Sequence, residues 1–161
     1  MHALKNTEFV KDAGALISRI LIAAFFVPVG LKRIRDYQAS VDYNASLDLP
    51  LPEAFTIVAI IVQAGIGTAL LLGLQTRLSA AIFILCIAIW SVIYHGFWAV
   101  PEELYAQERL SFFKNVALMG GLLMIAVHGP GRFSLDAWHP AGTAALPAGR
   151  NRTTGPYARY Y

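Results

Sequence analysis

Charged side chains are absent from two long stretches of this chain, residues 54–74 and 78–98, which are separated only by Gln75, Thr76 and Arg77. A soluble fold is excluded by that absence. Each stretch of twenty-one residues matches the roughly 20 apolar residues that a helix rising 1.5 Å per residue needs to cross a hydrocarbon core of about 30 Å. Charge is sparse elsewhere too, at 14% of residues, where soluble domains carry about a quarter; hydrophobic residues make up 57% and the mean hydropathy is +0.53. Cysteine is nearly missing: Cys86 alone permits no intramolecular disulfide, CxxC pair or thiolate metal cluster, and it reads as a small buried filler. No HExxH, P-loop or GxGxxG motif is present, and no metal site is expected. No carboxylate falls within an apolar stretch, which argues against a self-sufficient proton pump. His95 and His128 lie near opposite membrane faces, so the matched pair of axial ligands that a b-type haem needs is not available from this chain alone. The formal charge of +3 comes from basic residues scattered around apolar segments rather than gathered into a stripe, so nucleic acid is not an expected partner.

Two further apolar segments, about 14–31 and 112–128, bring the expected spans to four. A cleaved signal peptide is the rival reading of the first, but no small-x-small site follows it and Lys32, Arg33 and Arg35 come next. The expected fold is all-α, an integral membrane four-helix bundle over residues 1–139. Both termini are expected in the cytoplasm of a bacterial inner membrane, because the terminal segments and the short middle loop hold seven basic residues. The two opposite loops hold four basic residues and seven acids. The first of these loops, 32–53, has room for a short interfacial helix before Leu49-Pro50-Leu51-Pro52 imposes an extended approach to the second span; the second, 99–111, starts at Pro101. Residues 140–161 are rich in Pro, Gly, Arg and Tyr, and are expected to be disordered unless a partner or lipid headgroups order them.

Polar groups at membrane depth cost a few kcal/mol unless compensated, so they carry the candidate chemistry. His95 and Lys114 are placed near one membrane face with Lys32 and the ring of Trp98, while Gln63 lies near the midplane; together they form a candidate ligand site. The bland alternatives are snorkelling for Lys32 and Lys114, an aromatic belt for Tyr94, Phe97 and Trp98, and an interhelical hydrogen bond for Gln63. Arg19, Arg77, Asn115, Arg132 and Asp136 are assigned structural roles, with Arg19 expected to pair with backbone carbonyls or with Asp136. Small residues spaced four apart, Gly65 with Ala69, Ala64 with Thr68 and Ala117 with Gly121, predict close helix approaches. A kink at Pro28 would turn Lys32 toward the bundle.

Several of these features together resemble the DoxX family of small four-helix bacterial membrane proteins, over about residues 13–138. They are Arg19 in the first span, Gly30-Leu31-Lys32 at its end, the Leu-Pro-Leu-Pro approach, and Gly73-Leu74-Gln75-Thr76-Arg77. His95-Gly96-Phe97-Trp98, Phe113-Lys114-Asn115 with Gly120-Gly121, and the segment from Gly129 to Asp136 complete the set. Where many relatives carry glutamate in the second span, this chain has Gln63. The resemblance implies a redox-associated membrane subunit, since relatives include a subunit of a thiosulfate:quinone oxidoreductase and a membrane partner of detoxifying and sulfur-transfer enzymes. Quinone is the ligand this implies, with electrons supplied by other subunits of a membrane complex. His95 and Lys114 would hydrogen-bond its carbonyls. The rival class is a structural accessory subunit whose helices pack against the spans of a larger complex, and small-molecule transport is a third.

Overall fold

A computed structural model describes residues 2–138, with side chains from Thr7 onward, so the expectation for residues 140–161 lies outside the described residues. The described chain is all-α. The first helix, α1 (His2–Arg35), runs without a break through Pro28. It is followed by the short α2 (Tyr37–Ser46) in the first long loop. The second span, α3 (Pro52–Leu72), contains a π-helical turn, Ile61–Ile66, at its middle. The third, α4 (Thr76–Tyr94), ends in a 3₁₀ turn at Phe97–Ala99. The last long helix is α5 (Glu102–His128), and a single turn, α6 (Leu135–Trp138), closes the described chain. Four of these helices are long and apolar enough to cross a membrane. The start of α1 and the end of α5 therefore lie at one end of the bundle, the terminal end, with α2 at the other, the loop end.

Residues 99–111 were expected as a loop, but α5 begins at Glu102. Pro101 sits just outside the first turn, and Glu102 and Glu103 stand in it, where the positive end of the helix dipole favours carboxylates. Lys114 is thus well inside a helix rather than in its opening turn.

The core is a thin apolar stack. Ile22 and Phe26 of α1 meet Val62 and Leu70 of α3, Ala80, Phe83 and Ile87 of α4, and Leu122 and Ile125 of α5, with the rings of Phe26 and Phe83 4.8 Å apart. Outward positions such as Leu21, Leu85, Leu123 and Val127 are exposed, as lipid-facing residues are when the surrounding solvent is as apolar as the core.

Of the small residues whose four-residue spacing predicted close helix approaches, Ala64 lies at one and the glycines do not. Gly65 and Gly120 face open space, Ala117 is exposed, and Gly121 meets only the tip of Ile22. Backbones meet instead at Gly30 of α1, where an added Cβ would lie 2.5 Å from the amide nitrogen of Ala64 and 2.9 Å from Gln63. Spacing alone marks two faces of a helix equally well, and the face that packs is the one continuous with Ile22 and Phe26.

Candidate functional site

At the loop end, α1, α2, α3, α4 and α5 surround a cavity of about 220 Å³. Rings of Phe25, Phe26, Tyr43, Trp90 and Tyr94 line it together with a polar set: Arg33, Gln63, His95, Lys114 and Asn115. Gln63 reaches this wall from the π turn, where it and Val62 are both buried. The extra residue of such a turn shifts the register of the side chains that follow it, and π turns often mark functional positions. Arg33 Nε donates to Gln63 Oε1 at 3.1 Å, tying α1 to α3 across the cavity. Asn115 Nδ2 donates to Ser91 Oγ at 3.0 Å.

His95 lies just beyond the last turn of α4, and its Nδ1 is 2.7 Å from Glu108 Oε2. A carboxylate only accepts, so Nδ1 carries the proton and Nε2 is left to accept in the neutral ring or donate in the imidazolium. The ammonium of Lys114 lies 5.8 Å from the centre of the Phe25 ring, a cation–π distance, and makes no ion pair among the described residues. Among the described residues the cavity wall therefore carries two cations, Arg33 and Lys114, and no carboxylate. Such a wall suits a ligand that presents carbonyl or anionic oxygens beside a flat apolar ring.

A second polar layer holds α2 in place. Tyr94 Oη donates to Asn44 Oδ1 at 2.8 Å, and Asn44 Nδ2 donates to Thr56 Oγ1 at 2.8 Å, with Asn44 and Thr56 both fully buried. Tyr43 stacks on Tyr94, ring centres 6.2 Å apart. The short helix thereby forms one wall of the cavity.

Of the five residues proposed as a ligand site, the structure gathers three, Gln63, His95 and Lys114, and separates two. Lys32 is exposed and borders a different hollow beside Asp36 and Ser40. Because α1 continues helically through Pro28, it is Arg33 that shares a face with Phe26 and Gly30. Trp98 is exposed and belongs to an aromatic cluster with Phe97 and Phe112 outside the cavity, while Trp90, two turns earlier on α4, lines it. Asn115, assigned a structural part, makes that hydrogen bond and also lines the cavity. Arg33, Tyr43, Trp90, Tyr94 and Glu108 were not singled out as ligand-site residues. The available signal was the spacing Phe26, Gly30, Arg33, which continues the packed face of α1.

The terminal end is a lock. Arg19 is fully buried; its Nη1 donates to the Leu71 carbonyl at 3.3 Å and its Nη2 to that of Phe133, while Nε has no partner among the described residues. Gly73 closes α3 with φ of +72°, and an added Cβ there would run into Arg19 and Ser134. The amides of Gly73 and Leu74 bond back to the carbonyls of Leu70 and Ala69, a Schellman closure. Asp136 does not take up Arg19 by a hydrogen bond. Its two carboxylate oxygens accept from the amides of Gln75 and Thr76 at 2.7 and 2.9 Å, capping α4 from sixty residues away in sequence. Arg132 approaches Asp12, through its amide at 3.0 Å and its Nε at 3.9 Å, and Arg77 packs against Gly129. These motifs therefore pin the chain after α5 onto α1 and the α3–α4 turn, far from the cavity.

Comparison with known proteins agrees with this architecture. The DoxX family profile matches residues 14–96, about half of the chain. The inner membrane protein YphA of Escherichia coli is 32% identical over 138 residues, covering 84% of this chain and 99% of that one. The inner membrane protein YqjF of the same organism is 29% identical over 130 residues, covering 79% and 92%. A Surfeit locus protein 4 homolog from Schizosaccharomyces pombe is 34% identical over 67 residues, 40% of this chain and 22% of that protein. No solved structure matches. With a family match over half its length, a relative aligned almost end to end and four apolar helices of spanning length, this chain belongs to the DoxX family and is a multi-pass inner membrane protein.

Proposed function

We propose that the chain is a membrane subunit that holds a quinone headgroup in the loop-end cavity for a redox partner. The observation that carries this reading is the conjunction of flat aromatic walls with Arg33 and Lys114, two cations with no carboxylate among the described lining residues. Quinone carbonyls are acceptors, and both cations are donors. His95 Nε2 suits either redox form, accepting from a quinol hydroxyl or, as imidazolium, donating to a carbonyl. A volume of about 220 Å³ is smaller than the roughly 300–1,000 Å³ of sites that enclose whole drug-sized ligands. That size matches a ring whose isoprenoid tail stays in the lipid. Bound quinone would supply two-electron redox chemistry; the electrons would come from a partner protein, and this chain would bind and orient the ring. Placing the termini in the cytoplasm by the charge rule puts the cavity near the opposite face of the membrane.

The test is purification from native membranes in a mild detergent, with quinone read by mass spectrometry from the band on a native gel. Quinone should travel with the wild-type chain and be lost from His95→Ala and Lys114→Ala, with both variants still assembled. Unchanged quinone content in both variants, or loss of assembly without loss of quinone, would instead favour the structural accessory reading.

A further inference from the structure

A second site lies at the terminal end, in the gap between α1 and α5. Two hollows there, of about 210 and 320 Å³, share Lys11, Ala15, His128 and Gly129 and so form one continuous trough. Its two halves differ in chemistry. Toward the bundle middle the walls are Ala15, Met124 and Ile125, with Met124 more than half exposed where lipid would meet it. Toward the terminal end the walls carry Glu8, Lys11, Asp12 and Arg132. An apolar trough that opens into a charged mouth at the depth where spans end has the polarity of a phospholipid, acyl chain inward and headgroup outward. Basic side chains in pockets between spans are known to hold lipid phosphates.

Which headgroup follows from the pairing of the charges. Asp12 is engaged by the amide and Nε of Arg132. Lys11 and Glu8, three apart on α1, form no ion pair with each other or with any other described residue, and both are exposed. Among the described residues the mouth thus offers one free cation and one free carboxylate, with Arg132 lining it beside them. A purely anionic headgroup would meet Glu8 unfavourably. A trimethylammonium headgroup has no N–H to give it.

We propose that the α1–α5 trough binds one phospholipid whose headgroup carries both a phosphate and a primary ammonium, the phosphoethanolamine class. Lys11 and Arg132 take the phosphate, Glu8 accepts from the ammonium, and an acyl chain lies along Ala15, Met124 and Ile125. The bound lipid bridges α1 to the end of α5 and covers the segment that starts the terminal lock. The site is separate from the loop-end cavity and does not depend on its ligand.

Native mass spectrometry of the full chain in detergent tests this, with phosphatidylethanolamine, phosphatidylglycerol and phosphatidylcholine of identical acyl chains added together. One phosphatidylethanolamine should be retained over each of the others by roughly fivefold, about what one typical net hydrogen bond supports. Glu8→Ala should bring phosphatidylcholine level with phosphatidylethanolamine, Glu8→Asp should keep the preference, and Lys11→Ala should lower retention of all three lipids. Glu8 is exposed, so its substitution leaves the fold readable by helical circular dichroism even if the Lys11 variant assembles poorly. Equal retention of phosphatidylcholine by the wild type, a preference for phosphatidylglycerol, or an unchanged preference in Glu8→Ala would each overturn the assignment.

Discussion

Replacing Gly30 with alanine puts a methyl group 2.5 Å from the Ala64 nitrogen and 2.9 Å from Gln63. Ordinary contact begins at about 3.4 Å, so α1 and α3 must part by nearly an ångström. The atoms in the way are backbone atoms and the Cβ fixed to them, so no flexible side-chain end can yield. Overpacking of this kind costs about 1–3 kcal/mol, and the backbone clash places it toward the upper end. Alanine returns about 1 kcal/mol through its better helix propensity. A net loss of about 2 kcal/mol lowers the melting temperature of a chain this size by roughly 4–8 °C. The same separation pulls Arg33 away from Gln63, whose 3.1 Å bond crosses the cavity one turn away, so ligand retention should fall with stability. The assay is thermal unfolding in detergent at one fixed scan rate, since membrane proteins often unfold irreversibly. Gly65→Ala and Gly120→Ala are the controls: both added methyls meet open space, so the melting temperature should hold or rise. A Gly30→Ala protein as stable as the wild type, or controls that fall as far, would refute the assignment of Gly30 as the contact point of α1 and α3.

Asp136→Ala should expose the amides of Gln75 and Thr76, costing about 1–2 kcal/mol as a lost helix cap and speeding hydrogen exchange at the start of α4; unchanged exchange at both amides would show that Asp136 does not cap that helix. Substitutions at Arg33 and Asn115 should weaken quinone retention, whereas Trp98→Ala and Lys32→Ala should leave it unchanged, because neither residue borders the cavity. Quinone loss from Trp98→Ala with retention in Arg33→Ala would reverse that division.

Much of the architecture was legible in the residues alone. Spanning helices follow from uncharged length, because every backbone polar group in lipid must be satisfied within its own segment. Two runs of twenty-one residues and two interrupted ones therefore gave the four spans, and the prolines at 50 and 52 set α2 apart from α3. Boundaries were harder to read. Helix α5 starts ten residues before its apolar stretch, since Glu102 to Arg109 are good helix formers outside the bilayer core as well as within it.

Depth in the membrane was likewise readable from sequence, because each residue of a helix advances a fixed rise along the axis. Counting placed His95 and Lys114 near one face and Gln63 near the midplane, and all three line one cavity. Azimuth was not readable, and azimuth decides which side chains meet. Lys32 and Arg33 share a depth, yet one residue of helical rotation sends the first to the surface and the second to Gln63. Trp90 and Trp98 are separated by the end of α4, so only the first keeps the helical phase of the cavity wall. Likewise, Arg19 and Asp136 were both identified as structural from sequence, but their partners are carbonyls and amides supplied by segments remote in the chain. Uncharged length by itself determined the membrane and the number of crossings, because lipid imposes that condition on each segment separately. The rotation of each helix, the closing of the terminal end and the composition of the cavity were decided by tertiary structure, because they depend on which faces pack together once all four helices share one core.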